Sequence, residues 1–415
     1  MSGDKKTYKQ TILPISADDL KIGMILAEDL RHLNGRLILK RGTSIGSREL
    51  NIIKMWGVTE ALIEFKKINE PSPEVAPQPL NDEKTVNAVK DIFRFSNLNH
   101  ELNHELYKLT LQRYTPKPTR ESAPSSLKPS EGDITPIDIY KKLEDDIKLP
   151  SLPSIVNRIN EAISNPNCTA TQIADIISKD SSLTARILKL VNSAFYNFPM
   201  PIESIPRAVT IVGTRQVSAL ALATSVASTF KHIPPEILDM KSFWKHSATC
   251  GIICRLIAGY KENTNTESFF LAGLLHDIGR LVIYHFFSRQ AKALFSLRKK
   301  TPQLLHQLEP KLLTIDHAKV GSMLIEQWKL PPLLEHACHF HHHPSRSKDR
   351  MVSSVVHVAD IIANALRTGT SGEYYIPSLE ASAWDYIGLP ISVLGPIVQQ
   401  TERILIDTIQ TYLRD

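Results

Sequence analysis

The chain has 415 residues, 42% of them hydrophobic and 22% charged, with a net charge of +6 at neutral pH. That balance fits a water-soluble globular protein of two or three domains, and the positive charge is too diffuse to imply nucleic acid as a partner. The four cysteines (Cys168, Cys250, Cys254, Cys338) form neither a CxxC pair nor a disulfide framework, and the N-terminal MSGDKKTYKQ lacks an apolar signal core. A reducing cytoplasm is the expected location. Apolar runs such as 219–227 are broken by Ser and Thr and are too short to span a bilayer.

Residues 11–66 read as a small α/β module. A turn at Asn34-Gly35 leads into a short strand at Leu37–Leu39, Ser47–Trp56 has helical spacing with Leu50, Ile53 and Trp56 on one face, and Ala61–Phe65 is a closing strand. Residues 67–135 are punctuated by proline and poor in core formers. A linker is expected there, extended or mobile over 67–80 and 114–133, with one helix at about Asp82–Arg113.

From Asp138 onward the pattern is helical almost throughout. Thr169 precedes a run carrying Ile173, Ile176 and Ile177, and Ser181 precedes Leu183, Ile187, Leu188 and Val191, the period of a buried helical face. Pro199, Pro201 and Pro206 mark an irregular connector, after which a helix resumes at Ala208. Pro331-Pro332 separates a helix ending near Trp328 from one beginning near Leu333. The expected fold class is mainly α: an all-helical bundle of one or two lobes, with the small α/β module before it and a helical extension over residues 366–415.

Within this bundle, Leu271–Arg280 (LAGLLHDIGR) places His276 and Asp277 side by side at the end of an apolar helical run. Neighbouring side chains on a helix diverge by about 100°, so adjacent residues seldom share a task. Two ligands reaching a common metal by separate rotamers are one reason to pair them; a helix-terminal cap is the plainer alternative. Cys250 and Cys254 follow His246 at i+4 and i+8 on one face, which leaves thiolate ligation open beside the commoner role of packing. Asn192–Tyr196 is either a recognition surface or a packed helix end. His232, His285, His306, His336, His339 and His357 read as surface or packing residues, and the run of His339 with His341–His343 could collect metal adventitiously. No interleaving of arginine and aromatics and no helix-turn-helix spacing points to DNA.

Several separated motifs occur in order: Leu149–Pro153 (LPSLP), Lys179-Asp180, Ser182-Leu183, Leu190–Tyr196 (LVNSAFY), Ile202–Gly213, Phe243–Ser247 (FWKHS) and Leu274–Gly279 (LLHDIG). Together they resemble an HDOD domain, the HD-related output domain of bacterial signalling proteins, over about 138–365, with lobes at 138–235 and 236–365. LKIGMILAEDL and NGRLILKRGTSI in the first module are similar, over a shorter stretch, to the small domain that precedes many HD-GYP cyclic-dinucleotide phosphodiesterases. Kinship with HD-superfamily phosphohydrolases implies a divalent metal (Fe, Mn or Zn, one or two ions). Its ligands would be His246, His276, Asp277, His317, His342, His343 and Asp360, and the catalytic candidates would be Asp277 and Arg280, the latter to steady a phosphate.

Three departures stand out. Ser242 occupies the place of a glutamate that some HD-GYP enzymes carry. Arg280 replaces a lysine, and a guanidinium is no drop-in for an ammonium. His343 is followed by Pro-Ser-Arg-Ser-Lys-Asp-Arg with no Gly-Tyr-Pro, which argues against straightforward cyclic di-GMP hydrolysis. The function expected is therefore a bacterial regulatory protein acting through signalling-protein partners or a nucleotide ligand, with a divergent HD metal site. The alternative is a metal-dependent phosphohydrolase acting on a nucleotide or cyclic dinucleotide. A third function, holding metal and nucleotide without turnover, is separated from the second by an assay of hydrolysis.

Overall fold

A computed structural model describes residues 11–16, 20–31, 37–46, 49–50, 52–53, 60–65, 83–114, 135–165, 167–192, 196, 198, 200–230, 233–261 and 264–412. The N-terminal module has strands β1 (Thr11–Ser16), β2 (Ile25–Leu26), β3 (Leu30–Arg31), β4 (Leu37–Leu39) and β5 (Glu60–Phe65). The last strand lies in the middle of its antiparallel sheet, in the order β1-β5-β2, so Ile63 faces Leu13 on one side and Leu26 on the other. Ala61 and Ile63, two apart and on one face, bury against Leu20, Leu26, Ile45 and Ile53. The predicted strand at Leu37–Leu39 pairs with β3. The Asn34-Gly35 turn and most of the predicted 47–56 helix lie outside the described residues, although 49–50 and 52–53 are helical.

Where one helix was expected after the first prolines there are two, α1 (Glu83–Ile92) and α2 (Glu101–Arg113). Asn97 causes the break. Its side chain accepts from Asn99 N at 3.1 Å, its carbonyl accepts from Asn103 Nδ2 at 3.0 Å, and His100 Nδ1 caps Leu102 N at 3.2 Å. Val89, Ile92, Leu102 and Leu106 are fully buried in the main core, so this pair is part of the helical body. The rest of the predicted linker, 66–82 and 115–134, lies outside the described residues.

The first helical lobe runs through α3 (Ile139–Asp145), α4 (Ser154–Ser164), α5 (Ala170–Ser178), α6 (Ser181–Val191), α7 (Ile205–Val212) and α8 (Thr214–Thr229). Local chemistry sets the ends. Thr169 and Gln172 form a reciprocal capping box at α5. Asp180, rather than Ser181, caps α6. Helix α7 starts at Ile205, earlier than expected, because Ser204 caps it and Pro206 is tolerated in the first turn. Asn192 clamps the proline connector through Ile202, donating to its carbonyl at 2.8 Å and accepting from its N–H at 2.7 Å. Ile173, Ile177, Ile187, Val191, Val209 and Val217 form a core of their own.

The second lobe comprises α9 (Met240–Gly259), α10 (Thr266–Leu275), α11 (Ile278–Phe286), α12 (Ser288–Lys300), α13 (Leu305–Leu313), α14 (His317–Gln327), α15 (Pro332–Phe340), α16 (Arg350–Leu366), α17 (Ala381–Ile387) and α18 (Leu394–Tyr412). The LPSLP segment ties the lobes together: Trp328 Nε1 donates to the Pro150 carbonyl at 2.7 Å and Gln327 Nε2 to that of Leu149 at 3.3 Å. Leu405 of α18 packs with Ala223, Ile252, Phe270 and Leu274, seating the C-terminal helix against both lobes. Thr266–Phe286 is long and apolar enough to cross a membrane, yet 83% of its most apolar 18 residues are buried inside the protein, the pattern of core helices.

Two glycines set the spacing around the candidate site. A Cβ on Gly279 would stand 2.0 Å from the His317 carbonyl oxygen and 2.5 Å from Gly321 N, while one on Gly321 would meet Cys338 Sγ at 2.5 Å. Helices α11 and α14 therefore cross with their backbones in contact, which carries His317 up to the His276-Asp277 doublet.

Candidate metal centre

His276 and Asp277 do not sit on one uninterrupted helix. His276 ends α10, and Asp277, at φ −98° and ψ 12°, begins α11. The break turns both side chains to one point, which a continuous helix would prevent. His246 projects from α9 and Asp360 from α16, and the four donors, all buried, lie within 4.8 Å of one another. His246 Nε2 is 3.2 Å from Asp360 Oδ1 and 3.8 Å from Asp277 Oδ2. His276 Nε2 is 3.4 Å from each of the same two oxygens.

A second buried group joins His317, at the start of α14, to His341 and His342 after α15. His317 Nε2 is 3.3 Å from His341 Nε2 and 3.1 Å from His342 Nε2. Asp277 links the two groups: Oδ2 faces His246 and His276, while Oδ1 lies 3.0 Å from His317 Nε2 and 3.8 Å from His341 Nε2.

The tautomers follow from the partners. A carbonyl oxygen can only accept, so His276 Nδ1 donates to Gly273 O at 2.7 Å and His341 Nδ1 to Cys338 O at 2.6 Å. His317 Nδ1 donates to Glu309 Oε2 at 2.6 Å. With a cation bound, each of these rings would present its Nε2 lone pair inward. The Nε2 atoms of His341 and His342 lie 3.3 and 3.1 Å from that of His317, so close that lone pairs on them would repel unless a proton or a cation lay between. His246 Nδ1 and Nε2 and His276 Nε2 have no hydrogen-bond partner although fully buried. Buried imidazole nitrogens gathered against two buried carboxylates are what a cation would satisfy, and imidazole with carboxylate suits Fe, Mn or Zn. The residues present fit a divalent metal.

The surrounding electrostatics hold the carboxylates ionised. Burial opposes the charge on Asp277, but Arg280, His276 and His317 keep its carboxyl well below the usual range. Asp360 is likewise held low against burial by His246 and His276, and Asn364 Nδ2 donates to it at 2.8 Å. Burial and the neighbouring imidazoles keep His341 and His342 well below the ordinary histidine value.

Of the residues singled out in the sequence, His246, His276, Asp277, His317, His342 and Asp360 converge. His343 does not. It is exposed, and the pair that enters is His341 with His342. The register slips by one because α15 ends at Phe340 and the turn that follows points His341 and His342 inward. Arg280 is corrected in role: it is 2% exposed, with Nε on Asp277 Oδ1 at 3.2 Å, NH1 on Glu309 Oε1 at 3.1 Å and NH2 4.0 Å from Glu373 Oε2. A guanidinium committed to three buried carboxylates is not presented to a phosphate. It faces inward because it lies one turn after Asp277 on the helix that crosses α14.

Besides His341, sequence reasoning missed three residues. Glu309 lies behind His317. His357 donates from Nδ1 to the His341 carbonyl at 2.7 Å and accepts at Nε2 from Glu380 N at 2.9 Å. His306 stacks on the His342 ring at 4.0 Å between centroids. His357 carried a legible signal, standing one turn before Asp360 on the same helix face. Cys250 and Cys254 are packing residues: the Cys250 backbone and Cys254 Sγ press on Gly273, where an added Cβ would meet the sulfur at 2.6 Å. His285 is exposed, His336 and His339 bind Glu335 and Asp349 at the surface, and His232 lies outside the described residues.

Residues 149–344 match the model of the HDOD domain family. An uncharacterized protein of Treponema pallidum (strain Nichols) is 27% identical over 267 residues, 63% of this chain and 48% of the relative, so the chain spans about half that protein's length. Among solved structures, an HDOD domain protein of unknown function from Geobacter sulfurreducens aligns with a TM-score of 0.58 and 24% identity, covering 66% of this chain and 97% of that one. A candidate signal transduction protein from Marinobacter aquaeolei VT8 aligns at 0.54 and 20% identity, covering 76% and 67%. A candidate phosphohydrolase from Shewanella amazonensis SB2B aligns at 0.52 and 22%, covering 66% and 97%. At these identities the likeness is one of fold. The second half of the domain match holds the His/Asp cluster up to His342, and the first half is the lobe opened by LPSLP: the chain carries an HDOD domain over residues 149–344.

Proposed function

We propose that the chain is a regulatory protein that works through its HDOD domain, binding signalling proteins or a nucleotide ligand while its HD-type centre holds one or two divalent cations. His246, His276, Asp277 and Asp360 would hold one ion and His317, His341 and His342 a second, with Asp277 shared. The observation that carries the cation is the convergence of inward-facing imidazole nitrogens on two buried carboxylates. A regulatory role is supported by burial. Asp277 is 3% exposed, Asp360 5% and His342 9%, and the remaining donors 1% or less. A hydrolase presents its ions to substrate and keeps a coordination position open. Here the donor side chains are buried, and Arg280 is held by internal carboxylates rather than presented to a phosphate.

Hydrolysis of a nucleotide or cyclic dinucleotide is the second reading, favoured by the Asp277 bridge between two donor groups. A bound divalent ion would supply Lewis acidity and an activated water. The deciding experiment incubates cation-loaded protein with nucleoside triphosphates and cyclic dinucleotides and follows both binding and product. Binding without turnover, or neither, supports the regulatory function; steady turnover abolished by Asp277→Asn establishes the hydrolase.

A further inference from the structure

Glu309 is a buried carboxylate that stands behind the centre rather than facing it. It is 1% exposed in the middle of α13, and a buried glutamate survives only with partners that satisfy its charge. It has three. Oε2 accepts from the His317 backbone N–H at 2.9 Å and from His317 Nδ1 at 2.6 Å, while Oε1 accepts from Arg280 NH1 at 3.1 Å. Arg280 Nε in turn donates to Asp277 Oδ1, and that same oxygen lies 3.0 Å from His317 Nε2. A closed ring results, Glu309–His317–Asp277–Arg280, which draws on α13, α14 and the α10–α11 junction. Behind it, Glu373 Oε2 accepts from Leu305 N at 2.8 Å and so fixes the start of the helix that carries Glu309.

The two donor groups are held differently. In the four-donor group the far nitrogen of His276 is held by a main-chain carbonyl and that of His246 has no hydrogen-bond partner, whereas His317 is gripped at both its backbone and its far nitrogen by one carboxylate. A carboxylate on the far nitrogen fixes the tautomer, fixes the ring plane and makes the ligating nitrogen a better donor. The three-histidine group brings no carboxylate of its own beyond the shared Asp277, whose Oδ1 is already engaged by Arg280. Its negative charge therefore comes from behind.

We infer that Glu309 is the positioning residue that makes His317, His341 and His342 a separate cation site, and that without its charge this site fails while the four-donor site persists. This inference rests on the metal reading above. The test strips the full-length protein with chelator and titrates it with Zn²⁺ or Co²⁺, comparing wild type, Glu309→Gln and His341→Ala, with circular dichroism to establish folding. The expected result is two cations in the wild type, with the weaker of the two lost in His341→Ala and bound about 10- to 100-fold more weakly in Glu309→Gln. The tighter cation is unchanged in both variants. Two equal cations in wild type and Glu309→Gln overturn the role of Glu309 and leave the metal reading standing. No cation in the wild type overturns both. If Glu309→Gln does not fold, ¹⁵N-histidine spectra of the zinc-loaded wild type decide: a His317 ring protonated at Nδ1 and ligating through Nε2 is expected, and the opposite tautomer overturns the inference.

Discussion

Replacing Gly279 by alanine probes the geometry on which the centre depends. The new Cβ would lie 2.0 Å from the His317 carbonyl oxygen, 2.5 Å from Gly321 N and 3.0 Å from His317 C, all of them backbone atoms that no rotamer change can move. Contacts of this kind are essentially never closer than 3.0 Å, so α11 and α14 must part by at least about 1 Å. A gap of about 0.5–1 Å forfeits a quarter to a half of the dispersion energy across the interface, here the one lined by Ile278, Val320 and Leu324. Overpacking of this kind costs about 1–3 kcal/mol, with the upper end expected where backbone meets backbone. For a domain of this size that is a fall of roughly 6–12 °C in melting temperature. Gly259→Ala is the control. Gly259 ends α9 with ordinary φ and nothing within 4 Å of an added Cβ, so alanine there should stabilise by up to about 0.5–1 kcal/mol. Thermal melts followed by circular dichroism, with cation content measured on the same samples, read both effects. Because the same shift pulls His317 from Asp277, Gly279→Ala should also lose the cation of the three-histidine group. A Gly279→Ala protein that melts with the wild type and keeps its full cation content would refute the close crossing.

Other outcomes follow from the same structure. His341→Ala should remove a cation and His343→Ala should not, because only the former ring is buried at the centre; elemental analysis separates them. Arg280→Met strands the Asp277 and Glu309 carboxylates in the core and should cost about 3–5 kcal/mol in a denaturant titration, with a smaller loss for Arg280→Lys. In cation-stripped protein, against burial and the Arg280 charge, Glu309 and Asp277 raise His317 from its ordinary 6.5 to about 9. That contribution to stability is complete below pH 6.5 and is lost as pH rises through 9, so the stripped protein should melt progressively lower from pH 7 to 9.5. Against burial, His317 and Arg280 lower Glu309 from 4.5 to about 2, so its contribution is complete above pH 4.5 and is lost as pH falls through 2. Cation-loaded protein should show a flat profile on the alkaline side. Trp328→Phe removes the hydrogen bond to Pro150 and should cost about 1 kcal/mol, read as a lower melting temperature.

Much of the fold was legible because the helical lobes announce themselves locally. Thr169 with Gln172, Pro206, and Pro331 with Pro332 mark helix starts through caps and missing N–H groups that a sequence displays directly. What escaped depends on distant partners. The predicted 82–113 helix is two helices because Asn97 offers the backbone a turn, and its apolar face belongs to the main core, which no local pattern states. The central place of β5 is a matter of pairing, invisible along the chain. At the centre, the His276-Asp277 doublet pointed to the site from the residues alone, while His246, His317 and Asp360 came only from the resemblance to HD-superfamily proteins. The one-residue register of the His341–His343 run turns on where α15 ends, and boundaries are the least readable feature of a helix. Arg280 reads in the sequence as a residue that would steady a phosphate because the buried acids that claim it, Glu309 and Glu373, lie 29 and 93 positions away in the chain.

Elemental analysis of the purified, untagged full-length protein beside its His276→Ala/Asp277→Ala variant tests the central claim most directly. The donor geometry predicts one to two equivalents of Fe, Mn or Zn in the wild type and loss of the four-donor cation in the variant. A folded wild type that retains no cation, and binds none when Fe²⁺, Mn²⁺ or Zn²⁺ is supplied after stripping, would contradict it.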